Sequence, residues 1–124
     1  DITSTNKIVA DNFLVDQWSG SGEVDITLNT DSAFYKIHTG TGNCIYRGST
    51  NFLFAYSTGN GTIDTEDLIT KDAFVVNNGT GDFRIFLQRK FRVEIFSIGD
   101  IYYSGSPTEI DKTITGSGRL IHLD

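Results

Sequence analysis

Two aspartates form the most chemically suggestive pair in the chain. Asp82 and Asp100 occupy the same place in two successive sequence repeats, directly after a glycine. Stacked repeats would bring their carboxylates to about 5 Å, a separation that suits a retaining glycosidase or a shared cation. The chain has 16 acidic residues that must lie somewhere, and Arg119 follows one repeat later as a partner. We therefore expect a solvated, charge-paired face, and neither a catalytic nor a metal site.

The other reactive side chains do not converge. His38 and His122 fall at different positions of the repeat, and Cys44 shares a position with neither. A metal site needs several ligands at suitable spacing, so we predict no metal and no cofactor. Cys44 belongs to an apolar column described below, which predicts a buried, inert thiol. As the single cysteine, it also excludes an intrachain disulfide.

Small hydroxyl residues flank the glycines of the repeat: Ser19, Ser21, Thr39, Thr41, Thr58, Thr115 and Ser117. Regular hydroxyl arrays on flat solenoid faces resemble ice-binding surfaces. Glycine corners favour the same residues for local backbone hydrogen bonds, however, and corners are not flat. Ice binding is therefore a minor alternative.

Aromatic side chains could stack on sugars where they are exposed. The candidates are Trp18, Tyr46, Tyr56, Tyr102 and Tyr103. Tyr46 and Tyr103 share one repeat position, on the same side of the strand as the apolar column, so we expect packing for both. Trp18 is then the aromatic residue of most interest for a ligand.

An internal repeat of 18–20 residues positions all these groups. Its marker is Gly-x-Gly, found at residues 20–22, 40–42, 59–61, 79–81 and 116–118, with a degenerate copy at 97–99. Two residues after each marker comes an apolar residue: Val24, Cys44, Ile63, Phe83, Ile101 and Leu120. Six residues before each marker comes a second apolar set: Leu14, Phe34, Leu53, Ala73, Phe91 and Ile110. The flanks alternate between apolar and polar residues, which is typical of strands and not of helices.

The repeat predicts an all-β fold, a short right-handed parallel β-solenoid of about six rungs with 18–20 residues per rung. Stacking would also pair opposite charges on neighbouring rungs: Asp64 with Arg84, Arg47 with Glu66, and Asp100 with Arg119. The right-handed sense rests on the general preference for right-handed crossovers. The alternative is an antiparallel sandwich or barrel with glycine pairs as hairpin turns. Residues 1–124 are taken as a single domain.

Composition excludes several classes of function. The net charge is −6, and the densest basic stretch is only Arg89, Lys90 and Arg92, so we predict no nucleic-acid partner. No apolar run approaches the ~18 residues of a membrane span. Nine Phe and five Tyr supply a hydrophobic core, which excludes a disordered chain.

The last two repeats resemble a known bacterial family. The run Ser97–Pro107 reads SIGDIYYSGSP, Ile110 follows it, and residues 116–121 read GSGRLI. These motifs resemble the C-terminal signature of the putative auto-transporter adhesin, head GIN domain family. Residues Trp18–Asp25 and His38–Gly40 are similar to earlier parts of that family, so the resemblance covers most of residues 13–121.

The resemblance implies a β-helical fold, an adhesive role, and export to the periplasm, outer membrane or cell surface, often as a lipoprotein. It also implies that the chain is the C-terminal part of a longer protein. The family has no agreed catalytic or ligand residues, so none is carried over. Asp31-Ser32-Ala33 matches a short bacterial O-glycosylation pattern, which marks Ser32 as a candidate acceptor.

We therefore predict a non-enzymatic module of the bacterial cell envelope that holds an envelope protein or a glycan on a rigid β surface. One alternative is a structural subunit that self-associates end to end, because the terminal rungs of a solenoid expose unpaired backbone groups. The others are a carbohydrate-active enzyme and the ice-binding protein considered above.

Overall fold

The computed structural model describes residues 2–3, 8–17, 23–38 and 42–123. The strands are β1 (Ile2–Thr3), β2 (Ile8–Gln17), β3 (Glu23–Ile37), β4 (Asn43–Ser57), β5 (Ile63–Asn77), β6 (Phe83–Ile95), β7 (Ile101–Gly105), β8 (Glu109–Ile114) and β9 (Leu120–His122). Every pairing between them is parallel. This part of the chain is all-β and forms a β-solenoid of about five turns, close to the six predicted rungs. None of it is a helix long and apolar enough to span a membrane.

Each complete turn is one long strand followed by a glycine corner. In β3 the inward side chains come at every second residue from Val24 to Thr30, and again from Ala33 to Ile37. The inward set therefore shifts by one residue at positions 31–32, within one continuous strand. Alternating apolar and polar residues, many of them β-branched or aromatic, suit such half-buried strands.

The first predicted apolar column is confirmed. Val24, Cys44, Ile63, Phe83, Ile101 and Leu120 lie one above another from β3 to β9. The first five are at most 1% exposed, and Leu120, on the last rung, is half-buried. This column is one continuous wall of the core.

The second predicted column is wrong for Leu14 and Phe34. The inward column consists of Phe13, Ala33, Leu53, Ala73, Phe91 and Ile110. Leu14 and Phe34 belong to the neighbouring column, whose side chains point outward, and Leu14 is 55% exposed. A shift of one residue along a strand moves a side chain to the opposite face.

The length of one corner explains this error. Ile37 stacks on Ser57, whereas Cys44 stacks on Ile63. The corner after β3 is therefore one residue longer than the corner after β4. An alignment that counts backward from Gly40 and Gly59 therefore pairs each residue of β3 with the residue one position before its true neighbour on β4.

The glycine corners stack so closely that a side chain does not fit between them. A Cβ atom on Gly79 would lie 2.1 Å from the carbonyl oxygen of Gly59, and one on Gly81 would lie 1.8 Å from that of Gly61. Close backbone approach is thus the reason for glycine at these corners.

Inter-rung charges follow the predicted register in two of three cases. Asp64 stacks on Arg84, and the Asp100 carboxylate lies 3.4 Å from the Arg119 guanidinium. Arg47 departs from the pattern, because its guanidinium binds Asp25 on the preceding rung and not Glu66 on the next. The register between β4 and β5 is irregular at this point, just before Gly48.

The last rung places polar residues in columns that face the core elsewhere. Lys112 of β8 stacks on Val93, which is fully buried, and His122 of β9 stacks on Tyr103. Both polar residues are exposed. The described solenoid is therefore more polar at this rung than in its interior.

Candidate functional site

Asp82 and Asp100 lie on adjacent rungs, but their carboxylates bind the backbone. The Asp100 N–H donates to Oδ1 of Asp82 at 2.9 Å, and the Arg119 N–H donates to Oδ1 of Asp100 at 2.8 Å. The amide oxygen of Asn43 accepts the Thr62 N–H in the same way, at 2.9 Å. Each acceptor follows a glycine corner and satisfies a backbone N–H at the start of the next rung. This structural role accounts for both aspartates.

The two histidines lie apart, each with its own partner. His38 Nε2 is 2.7 Å from the Asp16 carboxylate near the start of the solenoid. The His122 ring stacks on Tyr103 at a centroid distance of 4.5 Å on the last rung. Within the described ranges, no three His, Cys, Asp or Glu side chains come together in a group that could hold a metal ion.

Cys44 is buried in the first apolar column, as predicted. Burial raises the pKa of its thiol well above the usual value, and the nearby carboxylates of Asp64 and Asp25 add to that effect. The thiol is therefore held in its neutral, unreactive form.

The aromatic residues named as candidates in the sequence analysis lie in different environments. Tyr46 is fully buried, and its hydroxyl donates to the Phe34 carbonyl at 3.1 Å, so the packing role predicted for it is confirmed. The guanidinium carbon of Arg84 lies over the ring of Tyr102, 5.2 Å from the ring centroid. Trp18 and the hydroxyl residues at positions 19, 21, 39 and 41 lie outside the described residues.

An outward-facing group of aromatic rings, here called the aromatic wall, covers the second half of β3, β4 and β5. It consists of Phe34, Phe52, Phe54, Tyr56 and Phe74, all half-buried. Three of these rings stack in one column, with centroids 6.5 Å apart from Phe34 to Phe54 and 5.4 Å apart from Phe54 to Phe74. Apolar rings held in register on an outer face are typical of a binding surface.

A groove of about 620 Å³ lies at the C-terminal end of the aromatic wall. Phe52 and Phe74 contribute aromatic surface to it, and the buried Phe91 lies at its base. Its charged lining residues are Asp72, Lys90, Arg92, Glu109 and Asp111. The groove thus combines apolar ring surface with cationic hydrogen-bond donors and anionic hydrogen-bond acceptors.

Asp72 is the most firmly held polar group of the groove. Arg89 donates two hydrogen bonds to its carboxylate, from Nε to Oδ1 at 3.1 Å and from Nη2 to Oδ2 at 2.6 Å. The Lys90 backbone N–H adds a third, at 3.2 Å. The bond from Arg89 is the main reason why the pKa of Asp72 is lower than usual. The carboxylate is therefore fixed and ionised before any ligand arrives.

The opposite wall, formed by the first halves of the strands, has a different character. A smaller depression of about 210 Å³ there is bordered by the carboxylates of Glu23, Asp25 and Asp64 together with Asn43 and Thr62. Asp25 is bound to Arg47, and Asn43 to Thr62. The two outer faces of the solenoid therefore differ, one polar and acidic, the other aromatic.

Sequence reasoning named Tyr56 as a candidate but missed the four phenylalanines of the aromatic wall. Phe34 was aligned with Leu53 and Ala73 in the second apolar set, and Phe54 and Phe74 were not singled out. The available signal was their spacing of 20 residues, combined with the inward residues Leu53 and Ala73 directly before the last two. An outward aromatic column becomes visible only when the inward column has the correct register.

Comparison with known proteins places the chain in a family. No curated protein and no solved structure matches it. The sequence profile of the family described as "Putative auto-transporter adhesin, head GIN domain" matches residues 1–107. That span contains the whole aromatic wall and the Ser97–Pro107 run of the resemblance, and it ends before Ile110 and residues 116–121. The chain belongs to the putative auto-transporter adhesin, head GIN domain family.

Proposed function

We propose that the chain is a non-enzymatic module of the bacterial cell envelope that holds a partner on its aromatic wall. The observation that carries the proposal is the column of Phe34, Phe54 and Phe74, which a rigid parallel ladder keeps in register on an outer face. The three rings are only half-buried, so a partner that covers the column would remove further apolar surface from water, which is favourable. The family's description as an adhesin supports the same function.

The roles of the acidic residues favour binding over catalysis. Asp82 and Asp100, the candidates for a glycosidase pair, each accept a backbone hydrogen bond that joins two rungs. Asp72, the carboxylate at the groove, has a lowered pKa, whereas a general acid needs a raised one. These features suit a surface that positions a partner.

Localisation is part of the proposal. We propose export to the periplasm, outer membrane or cell surface, since a module that binds envelope components must reach them. The adhesin description of the family supports this placement. Fractionation of cells that express the full-length protein tests it, and recovery only in the cytoplasm would contradict it.

Binding to envelope preparations tests the function. The double variant Phe54→Thr/Phe74→Thr removes two rings of the wall and keeps residues that favour strands. We expect the labelled wild-type protein to bind bacterial envelope fractions, and this variant to lose most of that binding. The matched control is Tyr102→Thr, which removes a half-buried ring from the opposite wall.

Two results would overturn the proposal. One is full binding by a folded Phe54→Thr/Phe74→Thr variant, with folding checked by circular dichroism. The other is hydrolysis of an envelope polysaccharide that disappears in Asp82→Asn or Asp100→Asn, which would make the protein an enzyme.

A further inference from the structure

We propose that the groove at the C-terminal end of the aromatic wall binds a neutral glycan. This inference rests on the proposed function and names the chemical class of the partner. It follows from the size of the groove, from the kinds of groups that line it and from their balance of charge.

The size of the groove suits a short stretch of sugar. Its volume of about 620 Å³ lies within the range of roughly 300–1,000 Å³ that is typical of small-ligand sites. A protein partner generally covers a flatter patch of about 800 Å² on each side. A groove of this volume, bordered by two aromatic rings and several polar groups, suits a small polar ligand.

The aromatic residues supply the apolar half of sugar recognition. A pyranose ring presents C–H groups on its faces, and aromatic faces carry partial negative charge that attracts such hydrogens. Phe52 and Phe74 both border the groove. The column continues from Phe74 to Phe54, 5.4 Å away, so a longer glycan could run along the stack of rungs and meet one ring at each step.

The charged residues supply the polar half. A sugar hydroxyl both donates and accepts hydrogen bonds, so its site needs acceptors and donors side by side. Asp72 is an acceptor fixed by Arg89, and Arg92 is a donor held over the Phe74 ring at 4.8 Å. Lys90 and Glu109 stand in register on neighbouring rungs and add one of each kind. Groups held in place before binding lose little freedom when the ligand arrives.

The charge balance selects a neutral glycan. The carboxylates of Asp72, Glu109 and Asp111 line the groove together with the cations of Lys90 and Arg92, and Arg89 forms an ion pair with Asp72 from outside the groove. Because these charges balance, the groove offers no excess of cations to a sulfated or phosphorylated polymer, and the net charge of the chain, −6, repels such a polymer. A neutral sugar meets no such repulsion.

Titration calorimetry with neutral hexasaccharides tests the proposal. The probes are β-1,4-glucose, β-1,4-N-acetylglucosamine, α-1,4-glucose and α-1,6-mannose oligomers, with a heparin hexasaccharide as the polyanionic comparison. We expect at least one neutral probe to bind, with a Kd that barely changes between about 50 and 500 mM salt, because no net charge is neutralised. Heparin should not bind.

Point variants locate the site. Phe74→Thr and Arg92→Gln should each weaken binding of the neutral probe by about tenfold. Arg84→Gln is the matched control, because Arg84 makes the same kind of contact with Tyr102 on the opposite wall, at 5.2 Å. Its Kd should equal that of the wild type. Equal weakening by Arg84→Gln, or none by the two groove variants, would overturn the assignment of the groove.

The outcomes separate this inference from the proposed function. If no neutral hexasaccharide binds while Phe54→Thr/Phe74→Thr still abolishes envelope binding, the glycan is wrong and the binding module stands. Loss of envelope binding after protease treatment, but not after periodate oxidation, would then identify a protein partner. If the aromatic variants change neither glycan binding nor envelope binding, both proposals fail.

Discussion

Arg92 covers the last ring of the aromatic column, with its guanidinium carbon 4.8 Å from the centroid of Phe74. The two residues are vertical neighbours, Phe74 on β5 and Arg92 on β6. Asp111 follows on β8. The column therefore changes from rings to charges at the place where the groove begins.

This contact should stabilise the fold measurably. Arg92→Gln is expected to lower the free energy of unfolding by about 0.5–1 kcal/mol, as for a cation–π pair that remains partly exposed. Urea denaturation of Arg92→Gln, Phe74→Leu and the double variant measures the coupling between the two residues. A coupling energy of zero would show that the observed proximity contributes nothing to stability.

A side chain at a glycine corner should be costly. Gly81→Ala places a Cβ 1.8 Å from the carbonyl oxygen of Gly61, so two rungs must move apart. We expect a loss of about 1–3 kcal/mol, the usual cost of overpacking a rigid interior. Thermal unfolding compares this variant with Asn78→Ala, an exposed position in the same corner. Equal stability of the two variants would contradict the tight stacking of the corners.

The Asp72–Arg89 pair should make stability depend on pH in acid. Its hydrogen bond lowers the pKa of Asp72 below the usual 3.8 in the folded state. The stabilisation is therefore present above the unfolded-state pKa and disappears as the pH falls through the folded-state pKa. Melting temperatures measured from about pH 6 to about pH 2 should fall less for Asp72→Asn than for the wild type.

A control separates this pair from a general effect of charge. Asp67→Asn removes a carboxylate from an exposed position on the same strand. It should follow the acid profile of the wild type. If Asp67→Asn and Asp72→Asn behave alike, the bond to Arg89 is not the cause of the pH dependence.

The polar rung formed by β8 and β9 should oppose the stacking of a second copy of this chain upon it. Lys112 lies above the fully buried Val93, so another rung stacked on this end would bury its ammonium group, which is very unfavourable. Lys112→Val should therefore produce dimers or larger species, detectable by light scattering at high concentration. The control is Thr113→Val, because Thr113 is the adjacent residue and stacks on the outward-facing Glu94. This variant should have the same oligomeric state as the wild type. A wild-type protein that already forms concentration-dependent filaments would contradict this role.

The fold was largely predictable because its signal is local and repeated. The spacing of the glycines and the alternation around Val24 and Cys44 define strand direction and core side without knowledge of distant contacts. Parallel stacking then follows, because like positions recur at nearly constant intervals. The buried Cys44 thiol was predictable for the same reason.

The candidate site was less predictable, because it depends on register and on neighbours. Phe34 is apolar whichever way it points, so the extra residue in the corner after β3 was enough to align it with Leu53 in place of Phe54. Likewise, no sequence rule brings Arg89 to Asp72, since the two lie 17 residues apart where a full rung has 18–20. Asp82 and Asp100 were placed correctly on adjacent rungs, but their bonds to the backbone depend on the geometry of the corners.

Because equivalent residues stack on each other from rung to rung, the length of the solenoid can change by whole repeats. Each coil touches only the coils beside it, so duplicating one whole repeat in phase would lengthen the protein by about 4.8 Å without disturbing the remainder. A duplication of residues 54–73 would insert a second copy of Phe54 and so extend the ladder of rings by one step. In-frame duplication or deletion of whole repeats could therefore match the number of aromatic rings to the length of the bound partner.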